Sequence, residues 1–393
     1  MVCPEEEPFL FPDDGIQYHK DDLGNSYTVQ EVAKGELIQD IGLGVRGEIL
    51  LVDKILKPHE RPVLKLISKS YSGECEVDEA SDWKNVKIDF ISNDGRILVR
   101  GTRQGGESWR PEDVESARIY SVRNDKAVLD FEISPESGPE GLGRGFESLE
   151  FGEIHSPKRG EVFYITMLED SSKGYGDSSR MYNALYWSSK TIPFDPQIRL
   201  PIKVASTVLK AAFLKDGKYH FLITRAGGTD RNRLQVRKSV HILFSLDADE
   251  SSGELELVKE GIFPMSTAGL FAYDQSGKTI AGAAFLGASQ PIKIIAVDTE
   301  DLSLKKFRLT LSAGTVLRDL KVSPGASTLA LLGTDSRREN WFLSVYDLDH
   351  ARKTGEVKQI LRHSSPQKVQ SMVFENDRNV LIASPSLVER ISF

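Results

Sequence analysis

Cysteine is almost missing from this chain. Cys3 and Cys75 are the only two in 393 residues, too few for a disulfide framework and in keeping with a reducing compartment. Long apolar runs are missing too: none approaches the ~20 residues that span a bilayer, so no membrane insertion is expected. The chain opens Met1-Val2-Cys3-Pro4-Glu5-Glu6-Glu7 rather than with a basic start feeding an apolar run. No secretory leader is read there, and a cytoplasmic or nuclear location is the default expectation. Positive charge is in deficit, with 50 Lys and Arg against 58 Asp and Glu and a net charge of −8. That balance argues against a nucleic-acid partner, since such binding rests on clustered cations that neutralise phosphates.

Signatures of chemistry are equally sparse. The histidines at 19, 59, 155, 220, 241, 350 and 363 include no pair three to five residues apart, so zinc-type ligand spacing is not seen. No Gly-x-Ser-x-Gly occurs, which disfavours a common serine hydrolase. Gly277-Lys278-Thr279 imitates the end of a phosphate-binding loop, but Ala272 stands where that motif needs its first glycine. It also opens an apolar strand rather than a helix. The structural reading is preferred, and no cofactor or metal is expected.

What the chain does contain is a recurrence. Tight-turn pairs beginning at Arg46, Asp94, Arg159, Asp216, Ser276, Pro324 and Asp377 each lead into an apolar run, at spacings of 48 to 65 residues. The runs include Glu48-Ile49-Leu50-Leu51, Tyr219-His220-Phe221-Leu222-Ile223 and Leu329-Ala330-Leu331-Leu332. Period-two alternation bounded by Gly, Pro, Asp and Asn is the strand-and-turn signature. A repeat of this length built from strands predicts an all-β fold, a single β-propeller with seven four-stranded blades, although the spacing also admits six or eight. At 393 residues the chain exceeds the ~250–300 at which one core stops growing; a propeller avoids that limit because each blade packs mainly on its neighbours.

Blades are placed at about 36–80, 84–133, 148–200, 204–260, 265–311, 315–361 and 366–393. Third strands align at 117–122, 183–187, 240–247 and 292–298, and Asp247, Asp298 and Asp347 each end an apolar run where a turn can use the carboxylate. The last blade has only three strands, and an unpaired edge is an aggregation hazard. The segment 26–32 is expected to supply the fourth strand and close the ring, with the acidic residues 1–24 loosely ordered before it.

The C-terminal repeat resembles the WD-repeat family. His363, Val369, Ser371, Val373-Phe374, Asp377, Leu381-Ile382-Ala383-Ser384, Val388 and Phe393 fall where that family has its His, inner-strand apolars, turn Asp, second-strand apolars and terminal Trp. Residues 317–348 are similar, with Tyr346 in place of Trp. No Trp-Asp dipeptide is present, the Gly-His pair is replaced by Arg362-His363, and the first, third and fourth repeats match as strand patterns alone. The resemblance implies a divergent scaffold that binds protein partners within a larger assembly and has no chemistry of its own. A propeller hydrolase or lactonase with a divalent metal in its central channel is the alternative.

The irregular inserts 53–61, 103–116, 168–182, 225–239 and 335–340 all fall between second and third strands, which places them on one face of a propeller; the Gly-rich 134–148 emerges there too. Loops on a rigid scaffold carry function. The insert 225–239 holds Arg225, Arg231, Arg233, Arg237 and Lys238 against Asp230 alone. Arginine's planar fork suits carboxylate or phosphate, so acidic or phosphorylated peptides are candidate ligands. Trp109, beside Arg110, and Tyr175 lie on neighbouring inserts as candidate aromatic anchors. A basic loop is by default a solvated one, and Trp187 and Trp341 lie within strands, where blade packing is the expected role.

Overall fold

A computed structural model describes the strands and most tight turns between residues 15 and 393. The N-terminal 14 residues and most of the longer connections, among them 55–61, 104–113, 134–145, 151–161, 170–180, 226–239 and 335–339, lie outside the described residues. From 52 to 214 the backbone of the strands is described without side chains.

The chain is all-β. The first described sheet runs Ile38–Leu43, Ile49–Lys54, Pro62–Ile67 and Ser72–Glu76. The second runs Trp83–Ile91, Arg96–Arg103, Val114–Arg123 and Lys126–Ile133; the third runs Phe146–Glu150, Val162–Glu169, Met181–Ser188 and Ile198–Arg199. The fourth comprises Thr207–Lys215, Lys218–Arg225, Val240–Asp247 and Glu256–Glu260, and the fifth Phe271–Tyr273, Thr279–Ala284, Ile292–Asp298 and Phe307–Leu311. The sixth is built from Val316–Val322, Thr328–Thr334, Trp341–Asp347 and Lys358–Ser365. In the last sheet Ser371–Asn376, Asn379–Ala383 and Leu387–Ser392 continue into Ser26–Lys34 and then Ile16–Lys20, both from the start of the chain. Every pairing is antiparallel between sequence neighbours except that of Ser26–Lys34 with Leu387–Ser392.

Local sequence explains these elements. Asp216 and Gly217 turn with φ of 50° and 76°, the double positive φ that a two-residue type I′ hairpin demands and that Asp-Gly tolerates. Thr328–Thr334 is buried at all seven positions, as a strand covered on both faces must be. First strands carry bulges: the register shifts at Ile38/Asp40, Leu209/Ala211, Leu317/Asp319 and Phe374/Asn376. A bulge sharpens twist and re-aims the extra residue. Ser26–Lys34 buries Tyr27 and Val29 in alternation, then slips at Glu31/Ala33 so that Val32 and Ala33 are both buried.

The cores lie between sheets. Leu317, Leu320, Leu329 and Leu331 of the sixth sheet pack with Ile292, Ile294 and Phe307 of the fifth. Its other face sets Leu332, Trp341, Leu343 and Val345 against Met372, Phe374 and Val380 of the last sheet, with Tyr27 and Val29 joining them. Leu381, Ala383 and Val388 meet Ile38, Ile41, Ile49 and Leu51 of the first sheet. Each fully buried aliphatic side chain contributes about 1.5–3 kcal/mol relative to exposure. First strands touch across sheets: Ile38–Leu43 contacts both Trp83–Ile91 and Ser371–Asn376, and Val316–Val322 contacts Phe271–Tyr273 and Ser371–Asn376.

Two elements were not foreseen. Ile16–Lys20 forms an outer fifth strand within the segment 1–24. A short helix, Leu348–Thr354, stands between the third and fourth strands of the sixth sheet, where a turn was expected. Asp347 caps it by accepting from the His350 N–H at 2.7 Å, and Gly355 ends it in the left-handed region at φ 80°. The turn-favouring Asp at the strand end is thus a helix N-cap.

Candidate functional site

The sheets have two unlike ends. At one end lie the turns joining first to second strands and third to fourth; at the other lie the connections joining second to third.

At the turn end, polar contacts tie sheet to sheet. Lys215 of the fourth sheet donates to the Thr299 hydroxyl beside the fifth at 3.0 Å. Arg352 of the helix reaches back to the fifth sheet, where Nε meets the two Asp298 oxygens at 3.2 and 3.1 Å and Nη2 donates to Thr279 Oγ1 at 2.6 Å. Its Nη1 donates to the Ala326 carbonyl at 2.8 Å and to Asp349 at 2.6 Å. Burial works to lower the Arg352 pKa, but Asp298 and Asp349 overcome it and hold it above its ordinary value. Gly325 N–H donates to Asp377 of the last sheet at 2.8 Å. The Gly277-Lys278-Thr279 stretch belongs to this scaffolding. Gly277 takes a positive φ of 66°, and Thr279, first in its strand, donates its N–H to buried Asp274 at 2.6 Å and its hydroxyl to Asp298 at 2.8 Å.

A second polar cluster fastens the N-terminal strand. Arg390 grips Glu375 through Nε and Nη2, both at 2.7 Å, and donates to Gln30 of the N-terminal strand at 3.0 Å. Tyr27 is hydrogen-bonded to His363 Nδ1 at 3.3 Å and stacks on His19 with centroids 5.3 Å apart. His363 is therefore hydrogen-bonded to the N-terminal strand. Burial, and then the charge of His19, push its pKa down to about 4. Burial raises Tyr27, with Asp21 and Asp22 adding to the effect. Asp21 is itself pushed up by burial, but hydrogen bonds from Asn25, Arg362 and Leu23 outweigh this and hold it below its usual value. Glu389, directly opposite Glu31 across the strand pair, is raised by burial and by that neighbouring carboxylate.

The connection end holds the residues singled out from the sequence. Arg225 is the last residue of a strand, paired with Thr207 and Val240, so it borders the basic insert instead of lying within it. Arg231, Arg233, Arg237 and Lys238 fall in 226–239, Trp109 and Arg110 in 104–113, and Tyr175 in 170–180, all outside the described residues. These three connections join second to third strands in the second, third and fourth sheets. Trp187 lies in a strand whose side chains are outside the description.

The same end of the sixth sheet is described, and it shows a grouping that sequence reading missed. Trp341, at the start of the third strand, pairs with Thr334 at the end of the second, which pairs with Val316 at the start of the first. Cross-strand partners share a face, here the one toward the last sheet. Trp341 is only 8% exposed, in the packing role expected of it. Arg318, the extra residue of the first-strand bulge, is exposed and sets its guanidinium 5.9 Å from the Trp341 ring centroid. Thr334 is 0% exposed, and its hydroxyl has no hydrogen-bond partner among the described residues. Nearby, Arg362 lies over the Phe342 ring at 5.4 Å. Only the pairing of a bulge with a strand-end tryptophan could have signalled this group, and both are visible in the fold alone.

Among the described residues no group of three or more His, Cys, Asp or Glu is arranged to hold a metal ion. None of their helices is long and apolar enough to cross a membrane.

Four-stranded antiparallel sheets following one another, with neighbouring first strands in contact, form a propeller-type architecture. No family model matches the chain, and no curated protein matches it. Among solved structures it is similar to the WD40 domain of Toxoplasma gondii coronin, at 10% identity and a TM-score of 0.49, covering 97% of this chain and 88% of that one. It is also similar to an oligogalacturonate lyase from Vibrio parahaemolyticus, at 11% identity and 0.49, covering 96% and 97%. The WD40 domain of SCAP from fission yeast matches at 9% and 0.45, covering 93% and 98%. Two WD40 domains and a lyase thus stand together, and the architecture rests on the sheet topology.

Proposed function

We propose that the chain is a seven-bladed propeller, closed by Ser26–Lys34, that serves as a non-enzymatic, WD-repeat-like platform for protein partners. Support for the ring comes from the pairing of Ser26–Lys34 with Leu387–Ser392 and from Ile38–Leu43 touching both the second and the last sheets. One observation carries the function. Trp109, Arg110, Tyr175 and the basic run from Arg231 to Lys238 all fall in second-to-third connections of three successive sheets. Successive blades would present them on a single face. The opposite end is taken up by contacts that hold the sheets together, through Lys215, Arg352 and Asp377. The partner segment is acidic or phosphorylated, matching the arginine-rich insert, and the assembly is cytoplasmic or nuclear.

The test is purification of the tagged full chain from its own cells beside the triple variant Arg231→Glu, Arg233→Glu, Arg237→Glu. The expected result is a stoichiometric protein partner with the wild type and its loss with a folded triple variant. Unchanged recovery removes the basic insert from the partner face. A stoichiometric divalent metal together with ester hydrolysis by the wild type would establish the metal-hydrolase alternative instead.

A further inference from the structure

We propose that Arg318, held over Trp341 at the connection end of the sixth sheet, is a carboxylate-reading subsite for an acidic segment of a protein partner. The inference rests on the partner-face reading above but uses none of the basic insert's residues.

Three observations point to a ligand. First, the bulge at Leu317/Asp319 displaces Arg318 from the ladder alternation and brings it to the face of Trp341. The cation–π contact at 5.9 Å restrains the guanidinium beside the ring without using its N–H donors in an ion pair. Second, Arg318 is exposed and makes no ion pair among the described residues, in contrast to Arg352 and Arg390, whose forks are taken by Asp298 and Glu375. An arginine pre-ordered by an aromatic ring but given no anion of its own is arranged for an external one. Third, Thr334, on the same face and paired with Trp341, buries a hydroxyl that has no hydrogen-bond partner among the described residues. Buried polar atoms are nearly always paired, so this one marks the place as incomplete.

Among the described residues the charge beside Trp341 suits carboxylate better than phosphate. Lys321, the next cation along the strand, lies 3.8 Å from Asp319, so its charge is largely offset within the chain. Among the described residues Arg318 is the arginine set over Trp341, and its single fork matches the two oxygens of one Asp or Glu side chain; a phosphate dianion calls for more cations.

The experiment uses the full chain and fluorescence anisotropy at low ionic strength, where charge contacts are least screened. The probes are a labelled hexaglutamate peptide, a Gly-Ser peptide with one phosphoserine, and a hexalysine control. The wild type is expected to bind hexaglutamate most tightly. Arg318→Gln should weaken that binding at least tenfold, and Arg318→Lys nearly as much, since an ammonium keeps the charge but loses the fork. Arg378→Gln, an exposed arginine at the opposite end, should leave it unchanged. Equal affinity of wild type and a folded Arg318→Gln overturns the proposal, as does tighter binding of the phosphoserine peptide. If Arg318→Gln fails to fold, Arg318→Lys decides in its place: weakened binding supports the proposal and equal affinity overturns it. Failure here with the triple variant still losing its partner would leave the partner face intact and remove only this subsite.

Discussion

Replacing Arg352 by methionine should loosen the joint between the fifth and sixth sheets. The change keeps the apolar stem and deletes the donors to Asp298, Thr279, Asp349 and the Ala326 carbonyl. Removing one partner of a buried ion pair costs about 3–5 kcal/mol, because the other charge is left uncompensated. Here the side chains of Arg352 and Asp298 are 19% and 23% exposed, so water relieves part of that penalty and about 2–3 kcal/mol is expected. Urea unfolding at pH 7 should show a lower midpoint with an unchanged slope. Arg352→Lys should recover less than half of the loss, since one ammonium cannot serve Asp298, Thr279 and Ala326 together. In a double-mutant cycle, Asp298→Asn should cost less in the Arg352→Met background than in the wild type, with about 1 kcal/mol or more of coupling. A loss below about 0.5 kcal/mol for Arg352→Met, or strict additivity, would refute the view that this arginine joins the sheets.

Three further outcomes are expected. Gly333→Ala places a Cβ 2.6 Å from Phe342 Cζ and 3.1 Å from the Val316 carbonyl, so thermal unfolding should reveal a loss of about 1–3 kcal/mol, partly rescued by Phe342→Leu. His363 is held near 4 in the folded chain by burial and His19, so the fold favours its neutral form. Its contribution is complete above pH 6.5 and is lost as pH falls from there toward 4, by up to about 3 kcal/mol. The difference between wild type and His363→Gln, followed by denaturant unfolding across that window, isolates this effect from the opposing titration of Glu389; a pH-independent difference would contradict it. Of the described elements, deleting residues 1–20 removes the outer strand alone, whereas deleting 1–34 also removes Tyr27, Val29, Val32, Ala33 and the Gln30 contact to Arg390. The longer deletion should destabilise by on the order of 5 kcal/mol more, and equal melting temperatures would sink that assignment.

The sequence carried the strands well because their signals are local. Asp216-Gly217 announces its hairpin by the conformations those two residues tolerate, and the alternation from Leu317 to Val322 survives a bulge. The pairing of Ser26–Lys34 with the last strand followed from counting edges, a global argument that needed no contact information. The helix at Leu348–Thr354 was hidden because seven residues are too few for an apolar stripe, and only Leu348 and Ala351 are buried. Ile16–Lys20 was hidden because it buries almost nothing, with Tyr18 84% exposed. Arg352 with Asp298, and Arg318 with Trp341, unite residues far apart in the chain by geometry alone, and no spacing rule reaches them. The arginines of the basic insert were legible as a charge anomaly, which identifies a residue type without fixing a position.

The central claim is that partners meet the end of the sheets where second strands pass to third. A photo-crosslinking amino acid placed at position 340, at that end of the sixth sheet, and separately at position 378, in a turn at the opposite end, tests it directly in the chain's own cells. A partner adduct from position 340 and none from 378 is the expected result; an adduct from 378 with none from 340 would contradict the claim.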